Sequence, residues 1–385
     1  MTLCATAMAT RKSVIASAFL LTWLLFGCTL PHVSTSGQNF HTLAIAAVGD
    51  FNGYNTMQTE SQLKSIGKLL SGKDIFIFNA EGVFSKKLHF KDCHRFRNQS
   101  LFLGSSEVID SLPRAEITIA SLANNHVLDC GQEGLLETMQ ELKKHGITPV
   151  GAGENVQEAC KPLILGIKGL NVAVLAYLEM APAVLTYIGM VPDWFSSDHS
   201  KGVVASWKLC DGQKQIAEIR KVADIVLVFV HMHHTKFSWT ETPSTASILF
   251  VKNILDAGAD IVIGSGPHVP QGIISSDKGV GLLSLGNFLL HPDYRMPEKG
   301  RRSMLANFII SNNSLKLVIV PLRLDNLGIP RVALQEDAGV ILNRIISLSD
   351  ELGTTLQVKG EGGYLEMHRM PINGSPGANI HNGEP

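Results

Sequence analysis

The segment "EITIASLANNHVLDCGQEGLLETMQELKKHG" (residues 116–146) decides the fold class. Its first eight residues, 116–123, are apolar in the manner of a buried strand. Its last thirteen place Leu135, Met139 and Leu142 on one helical stripe, with Lys143 and Lys144 near the end and Gly146 as terminator. A strand feeding a helix is the repeating unit of α/β proteins. Between the two lies a turn dense in hydrogen-bonding groups: Asn124, Asn125, His126 and Asp129. Asp129 and Gly131 read as residues that shape this turn, Asp129 as a cap for the helix. Asn125 and His126 read as one wall of a site.

The same pattern extends in both directions. Further strands are expected at 42–48, 74–79, 171–178, 224–230, 260–264, 281–288, 306–310 and 315–324. Several are apolar without alternation, as strands buried on both faces are. "TASILFVKNILDAG" (245–258) repeats the helix design and stops at Gly258, and "AGVILNRIISLSDELG" (338–353) reads as another amphipathic helix. "TTLQVKGEGGYLEM" (354–367) reads as a terminal hairpin, and the chain carries no internal repeat. The architecture is α/β with a large, layered sheet system.

The polar residues recur at one end of these strands. Asp50 and Asn52 follow the first, Asn79 and Glu81 the second, and Asn124, Asn125 and His126 the third. His231, His233 and His234 follow 224–230, and Ser265 and His268 follow 260–264. Strand carboxyl ends line the ligand crevice of layered α/β folds. Carboxylate, amide and imidazole groups converging there suit one or two divalent ions such as Mn, Zn or Fe, and two ions can clamp a phosphoryl group. Each residue alone has a structural reading, as turn former, cap or solvated loop; the five strand ends together point to a shared polar site.

Composition bounds the rest. The 385 residues are 45% hydrophobic, enough for a large core, and 33 basic against 34 acidic side chains leave a net charge of −1. That balance offers no basic field for nucleic acid. Arg11 and Lys12 precede the apolar run "SVIASAFLLTWLLFGC", so residues 1–28 read as a signal peptide of lipoprotein type with Cys28 as the lipidated residue. An ordinary secretory signal is the alternative. Residues 29–41 read as a tether, 42–370 as the folded domain and 371–385 as a disordered tail. Cys93, Cys130, Cys160 and Cys210 allow three disulfide pairings, and without CxxC spacing they offer no structural zinc site.

With these motifs in place, the sequence resembles the CapA type of poly-γ-glutamate capsule synthesis proteins, whose domain is similar to a calcineurin-type metallophosphoesterase. The resemblance rests on "SLANNHVLDCGQEGLLETMQELKKHGITPVGAGENVQEACKP", "DAGADIVIGSGPHVPQGI", "LLSLGNF" and "FNAEG". It implies a layered α/β/β/α sandwich. It assigns Asp50, Glu81, Asn125, His231 and His268 to divalent metal, with Glu81 as a bridging carboxylate. It gives His126 and Asn125 catalytic roles, His126 as acid or transition-state stabiliser. Asn52, Asn79, Asn124, His233 and His234 are further candidates. Two segments depart from the family pattern. His-Trp-Gly-x-Glu reads His231-Met232-His233-His234-Thr235 here, and Gly-His-His-Pro-His reads Gly264-Ser265-Gly266-Pro267-His268. Both changes fall on the wall opposite Asn125, so His233 or His234 stands as a substitute ligand.

The resemblance implies an exported, membrane-anchored envelope protein that takes part in synthesis, export or anchoring of poly-γ-glutamate or a related capsule polymer. Its partners would be the anionic polymer and other capsule-synthesis membrane proteins, with the membrane held through the N-terminal lipid or signal anchor. The alternatives are a metal-dependent phosphoesterase or other hydrolase acting on a phosphorylated substrate, and a non-catalytic module that grips an anionic ligand.

Overall fold

A computed structural model describes residues 42–52, 63, 66–93, 100–184, 203–235, 239–291, 296–360 and 362–368. All of them fall in one compact unit, Gly37–Pro385. The expected signal peptide with Cys28, the tether at 29–41 and the tail at 371–385 lie outside the described residues. No helix among the described residues is long and apolar enough to cross a membrane.

In chain order the main strands are β1 (Leu43–Phe51), β2 (Ile75–Ala80), β3 (Ile117–Ser121), β4 (Ile147–Val150), β5 (Leu163–Ile167), β6 (Leu170–Met180), β7 (Ile225–His233), β8 (Ile261–Ser265), β9 (Ile273–Ser275), β10 (Val280–Leu282), β11 (Asn287–Leu289), β12 (Arg302–Ile310), β13 (Ser314–Leu324), β14 (Pro330–Val332), β15 (Gln357–Lys359) and β16 (Gly362–His368). The long helices are α1 (Gly131–Lys144), α2 (Gly212–Ile219), α3 (Thr245–Asp256) and α4 (Gln335–Glu351). A ten-stranded sheet runs β15-β16-β13-β12-β1-β2-β3-β4, with β11 added beside β1 and β14 beside β13. A six-stranded sheet runs β9-β10-β8-β7-β6-β5. The segments 354–367 do form the expected hairpin, β15 pairing antiparallel with β16.

Alternation along the second sheet shows the layering. On β6, Val172, Val174, Ala176 and Leu178 join the large core shared with the first sheet, whereas Ala173, Leu175 and Tyr177 pack towards α2 and α3. On β7, Ile225, Leu227 and Phe229 face the first sheet, and Val226, Val228, Val230 and Met232 face the helices. A strand covered on both faces has no place for a polar side chain until its end, which is why these segments read as unbroken apolar runs. Leu135, Met139 and Leu142 of α1 and Ile341, Leu342 and Ile345 of α4 pack on the first sheet. The order of layers is the expected α/β/β/α.

One expected strand is two. The run 281–288 does not continue as a single strand: β10 belongs to the second sheet and β11 to the first. The chain crosses between them at Leu283–Gly286, where Gly286 takes a left-handed backbone, φ +78°. Adjacent residues bond to both sheets there. Leu285 N donates to Gly264 O in the second sheet (3.0 Å), and Gly286 O accepts from Asp50 N in the first (3.0 Å). Four cysteines form two disulfides, Cys93–Cys130 and Cys160–Cys210, which closes the question of pairing that spacing left open.

The crossing presses directly on β1. A Cβ at Gly49 would lie 1.8 Å from Gly286 O, so nothing larger than glycine fits beside Asp50. Gly49→Ala is expected to lower unfolding free energy by at least about 3 kcal/mol, the upper range for overpacking, in urea titrations. Gly166→Ala on β5, where a Cβ meets nothing within 4 Å, should leave stability unchanged or slightly raised.

Candidate metal centre

Parallel pairing sets the polar strand ends side by side. Asp50 pairs with Asn79, and Asn79 with Ser121, so the ends of β1, β2 and β3 are level in the first sheet. His231 pairs with Ser265 in the second sheet. Both sheets deliver their carboxyl ends to one crevice, and Asp50, Asn79, Glu81, His231 and Ser265 there are fully buried.

Contacts across the crevice are tight. Asn79 Nδ2 donates to Asp50 Oδ1 (2.8 Å) and lies 3.0 Å from His231 Nδ1, which also meets Ser265 Oγ at 2.9 Å. His231 Nε2 lies 2.8 Å from Asn125 Oδ1 and 3.1 Å from His233 Nε2, which puts three ligand-capable atoms around one point. His268 Nδ1 lies 3.2 Å from Asp50 Oδ2, and Gly266 N donates to the same oxygen at 3.4 Å.

Glu81 stands between the two histidine groups. Its Oε1 is 3.5 Å from His231 Nε2 and 3.7 Å from His268 Nε2. Neither carboxylate oxygen has a hydrogen-bond partner, although both are buried. A buried, unpaired carboxylate is among the most costly groups a fold can carry, unless a proton or a cation neutralises it. Separations of 3.5–3.7 Å exceed a hydrogen bond but suit two atoms that flank one ion with bonds of about 2.0–2.2 Å. Two triads satisfy this: Glu81, His231 and His233, and Asp50, Glu81 and His268, with Glu81 common to both. The donor set therefore fits one or two divalent ions.

The electrostatics favour neutral imidazoles at His231 and His233 but a charged one at His268. Burial pushes the Asp50 carboxyl up, but hydrogen bonds and charge from His231 and His268 outweigh it and hold the group well below the usual carboxylate range. Burial, then the charge of Asp50, pushes Glu81 well above 4.5. Burial lowers His231 and, more strongly, His233, keeping both imidazoles neutral as ligands must be. Burial also pulls on His268, yet the carboxylates of Glu81 and Asp50 raise it to about 9.

The expected candidates separate into groups. Asp50, Glu81, Asn125, His231, His233 and His268 converge. Asn79 lies among them but spends its amide nitrogen on Asp50 and His231 and its oxygen on Asn124. Asn124 is scaffold: it donates to Asn79 Oδ1 and Ala80 O and accepts from His126 N and Val127 N. Asn52 is buried at the end of β1 with its Nδ2 unpartnered. His234 points the other way. Strand alternation turns it, with Met232, to the helix side, where it contacts Ser247 Oγ (3.0 Å) and Phe250.

Two features were not read from the sequence. Asp129 does not cap α1, whose N-cap is Cys130 without a side-chain bond. Instead its Oδ2 contacts His126 Nδ1 (2.9 Å) and accepts from Phe102 N (2.7 Å), while the Phe102 ring stacks on the imidazole at 3.9 Å. His126 is thus held by an acid and an aromatic face. Asn287, at the start of β11, contacts His268, and no polar pattern in "LLSLGNF" marks it as part of the site.

The residues 33–292 match the model of the bacterial capsule synthesis protein family PGA_cap. The capsule biosynthesis protein CapA of Bacillus anthracis is 28% identical over 233 residues, 58% of this chain and 52% of that one. The PGA biosynthesis protein CapA of Bacillus subtilis is 25% identical, over 60% of this chain and 57% of its own. The chain thus spans about half the length of these relatives. Among solved structures, a calcineurin-like phosphoesterase of Bacillus subtilis superposes with a TM-score of 0.38 at 11% identity, covering 81% of this chain and 97% of its own. The chain belongs to the PGA_cap family.

The buried Glu81 yields a signed pH test. A carboxyl raised in the folded state leaves stability intact below its unfolded value and subtracts from it above. In chelator-stripped protein, wild type should therefore fall behind Glu81→Gln as pH climbs above 4.5, by about 1.4 kcal/mol per unit until Glu81 ionises. Asp50 acts oppositely, its contribution being lost as pH falls, and is common to both proteins. Urea titrations across pH 4–8 check the difference, and added Mn or Zn should reverse the order.

Proposed function

We propose that this PGA_cap chain acts at the cell envelope in the synthesis, export or anchoring of poly-γ-glutamate or a related anionic capsule polymer, through a strand-end centre that holds one or two divalent ions. The observation that carries the metal reading is Glu81, buried, without a donor, and common to both ligand triads. Asp50, Glu81 and His268 would hold one ion, and Glu81, His231, His233 and the Asn125 oxygen the other. When bound, such an ion supplies Lewis-acid stabilisation of charge on a ligand oxygen. The protein's own part is to fix these atoms and to exclude water from Asp50 and Glu81, both 0% exposed.

The altered segments support the same assignment. The family's Gly-His-His-Pro-His offers histidines at two positions held here by Ser265 and Gly266. His233 supplies an imidazole from the neighbouring strand end and meets His231 Nε2 at 3.1 Å. A ligand has in effect moved from β8 to β7. The signal peptide, with lipid on Cys28, would place this centre at the outer face of a membrane.

A hydrolase is the second reading, favoured by the His126–Asp129 pair. Asp129 fixes the imidazole with a proton on Nδ1, and the Phe102 face blocks rotation; that is how a proton donor to a leaving group is held.

Wild-type protein incubated with Mn or Zn should retain at least one ion per chain by elemental analysis. Glu81→Gln and His233→Ala should weaken binding at least about 100-fold, while His234→Ala, facing the other layer, keeps it. Equal, negligible metal in wild type, Asp50→Ala and His231→Ala would sink the centre. Deleting the gene should deplete cell-associated polymer, with rescue by wild type and not by Glu81→Gln; unchanged polymer removes the capsule role. For the hydrolase reading, Asp129→Asn should lower kcat on an aryl phosphodiester about 10²–10⁴-fold with metal content unchanged.

A further inference from the structure

Asn287 is fully buried and is the register partner of Asp50 in the first sheet. Its side chain reaches across to the second sheet's last histidine. The amide nitrogen donates to two backbone carbonyls, His268 O (3.1 Å) and Gly300 O (3.0 Å). Carbonyls only accept, so this orientation of the amide is forced, and Oδ1 is the atom 2.9 Å from His268 Nδ1. The other neighbour of Nδ1, Asp50 Oδ2 at 3.2 Å, is also an acceptor. Nδ1 therefore carries a proton, and Nε2, on the Glu81 side at 3.7 Å from Oε1, is left to the centre.

The backbone needs the same clamp. His268 sits in the left-handed region, φ +61°, which side-chain-bearing residues adopt uncommonly. Asn287 holds its carbonyl, Trp239 N bonds the preceding Pro267 O at 2.8 Å, and the Trp239 ring lies against the imidazole with centroids 5.2 Å apart. Of these, Asn287 alone hydrogen-bonds both the ring and the carbonyl of His268 itself.

We propose that Asn287 is the positioning residue for His268, presenting Nε2 to the centre by accepting the Nδ1 proton while tying down the left-handed backbone. This rests on the metal reading of the site. It extends it to a residue that would touch no ion and no substrate. Outer partners of histidine ligands commonly act in this way.

Asn287→Asp and Asn287→Ala separate ring positioning from simple support. Both lose the two bonds to backbone carbonyls, but Asp keeps an acceptor at the ring. In protein with ¹⁵N-labelled histidine, loaded with Zn and assigned by the signal missing in His268→Gln, wild type should show His268 protonated at Nδ1 and zinc-shifted at Nε2. Asn287→Asp should keep that pattern even if less stable. Asn287→Ala should lose it and bind Zn about 10–100-fold more weakly. An Ala variant with unchanged ring pattern and affinity, or an Asp variant that folds and loses the pattern along with Ala, overturns the proposal. If wild type binds no Zn, the metal reading fails separately. The exchange-protected Nδ1 proton of the metal-free protein then decides: its loss in Ala supports the proposal, and its persistence in Ala overturns it.

Discussion

The structure is organised around a carboxylate that the polypeptide does not satisfy. Glu81 lies at the end of β2, wholly buried, between His231 and His268 and within reach of the charge on Asp50. The groups that flank it come from elsewhere in the chain, from both sheets and from strand ends more than a hundred residues apart. A fold tolerates such a group when the native state has a use for the field it creates. The two-sheet sandwich is what brings enough compensating groups to one place, because each sheet alone delivers only part of the set.

Much of this was legible in the sequence, and for a definite reason. Strands covered on both sides are apolar for most of their length, so the first polar residues mark where each nears its carboxyl end. Asp50, Asn79, Glu81, Asn125, His231 and His268 were read that way and do converge. The choice between His233 and His234 needed one more step. β7 continues to His233 rather than ending near Val230. Its two-residue period carries through to His234, which assigns 231 and 233 to one face and 232 and 234 to the other.

The remaining parts were hidden by local resemblances. Asp129, three residues after His126 and just before a helix, has the spacing of a cap, and only the folded chain shows that its oxygen serves His126 and Phe102. Asn287 was concealed more thoroughly. "GLLSLGNF" has the composition of one buried strand, and nothing in its pattern announces that the chain leaves one sheet and enters the other at Gly286. The disulfide pairing was invisible for a third reason, since four cysteines with unremarkable spacing carry no connectivity.

The crossing at Leu283–Gly286 also bears on how the two sheets move. Sheets packed only through side chains can creep past each other by small adjustments. Here two adjacent residues are bonded one to each sheet, Leu285 through its N–H to Gly264 and Gly286 through its carbonyl to Asp50. The link acts as a rivet. Displacing one sheet by a single residue, about 3.3 Å, would break at least one of these bonds and drag Asp50 away from His268. The position of one half of the crevice against the other is therefore held by this crossing as well as by packing. A ligand held between the sheets would meet two walls whose relative position this crossing helps to fix.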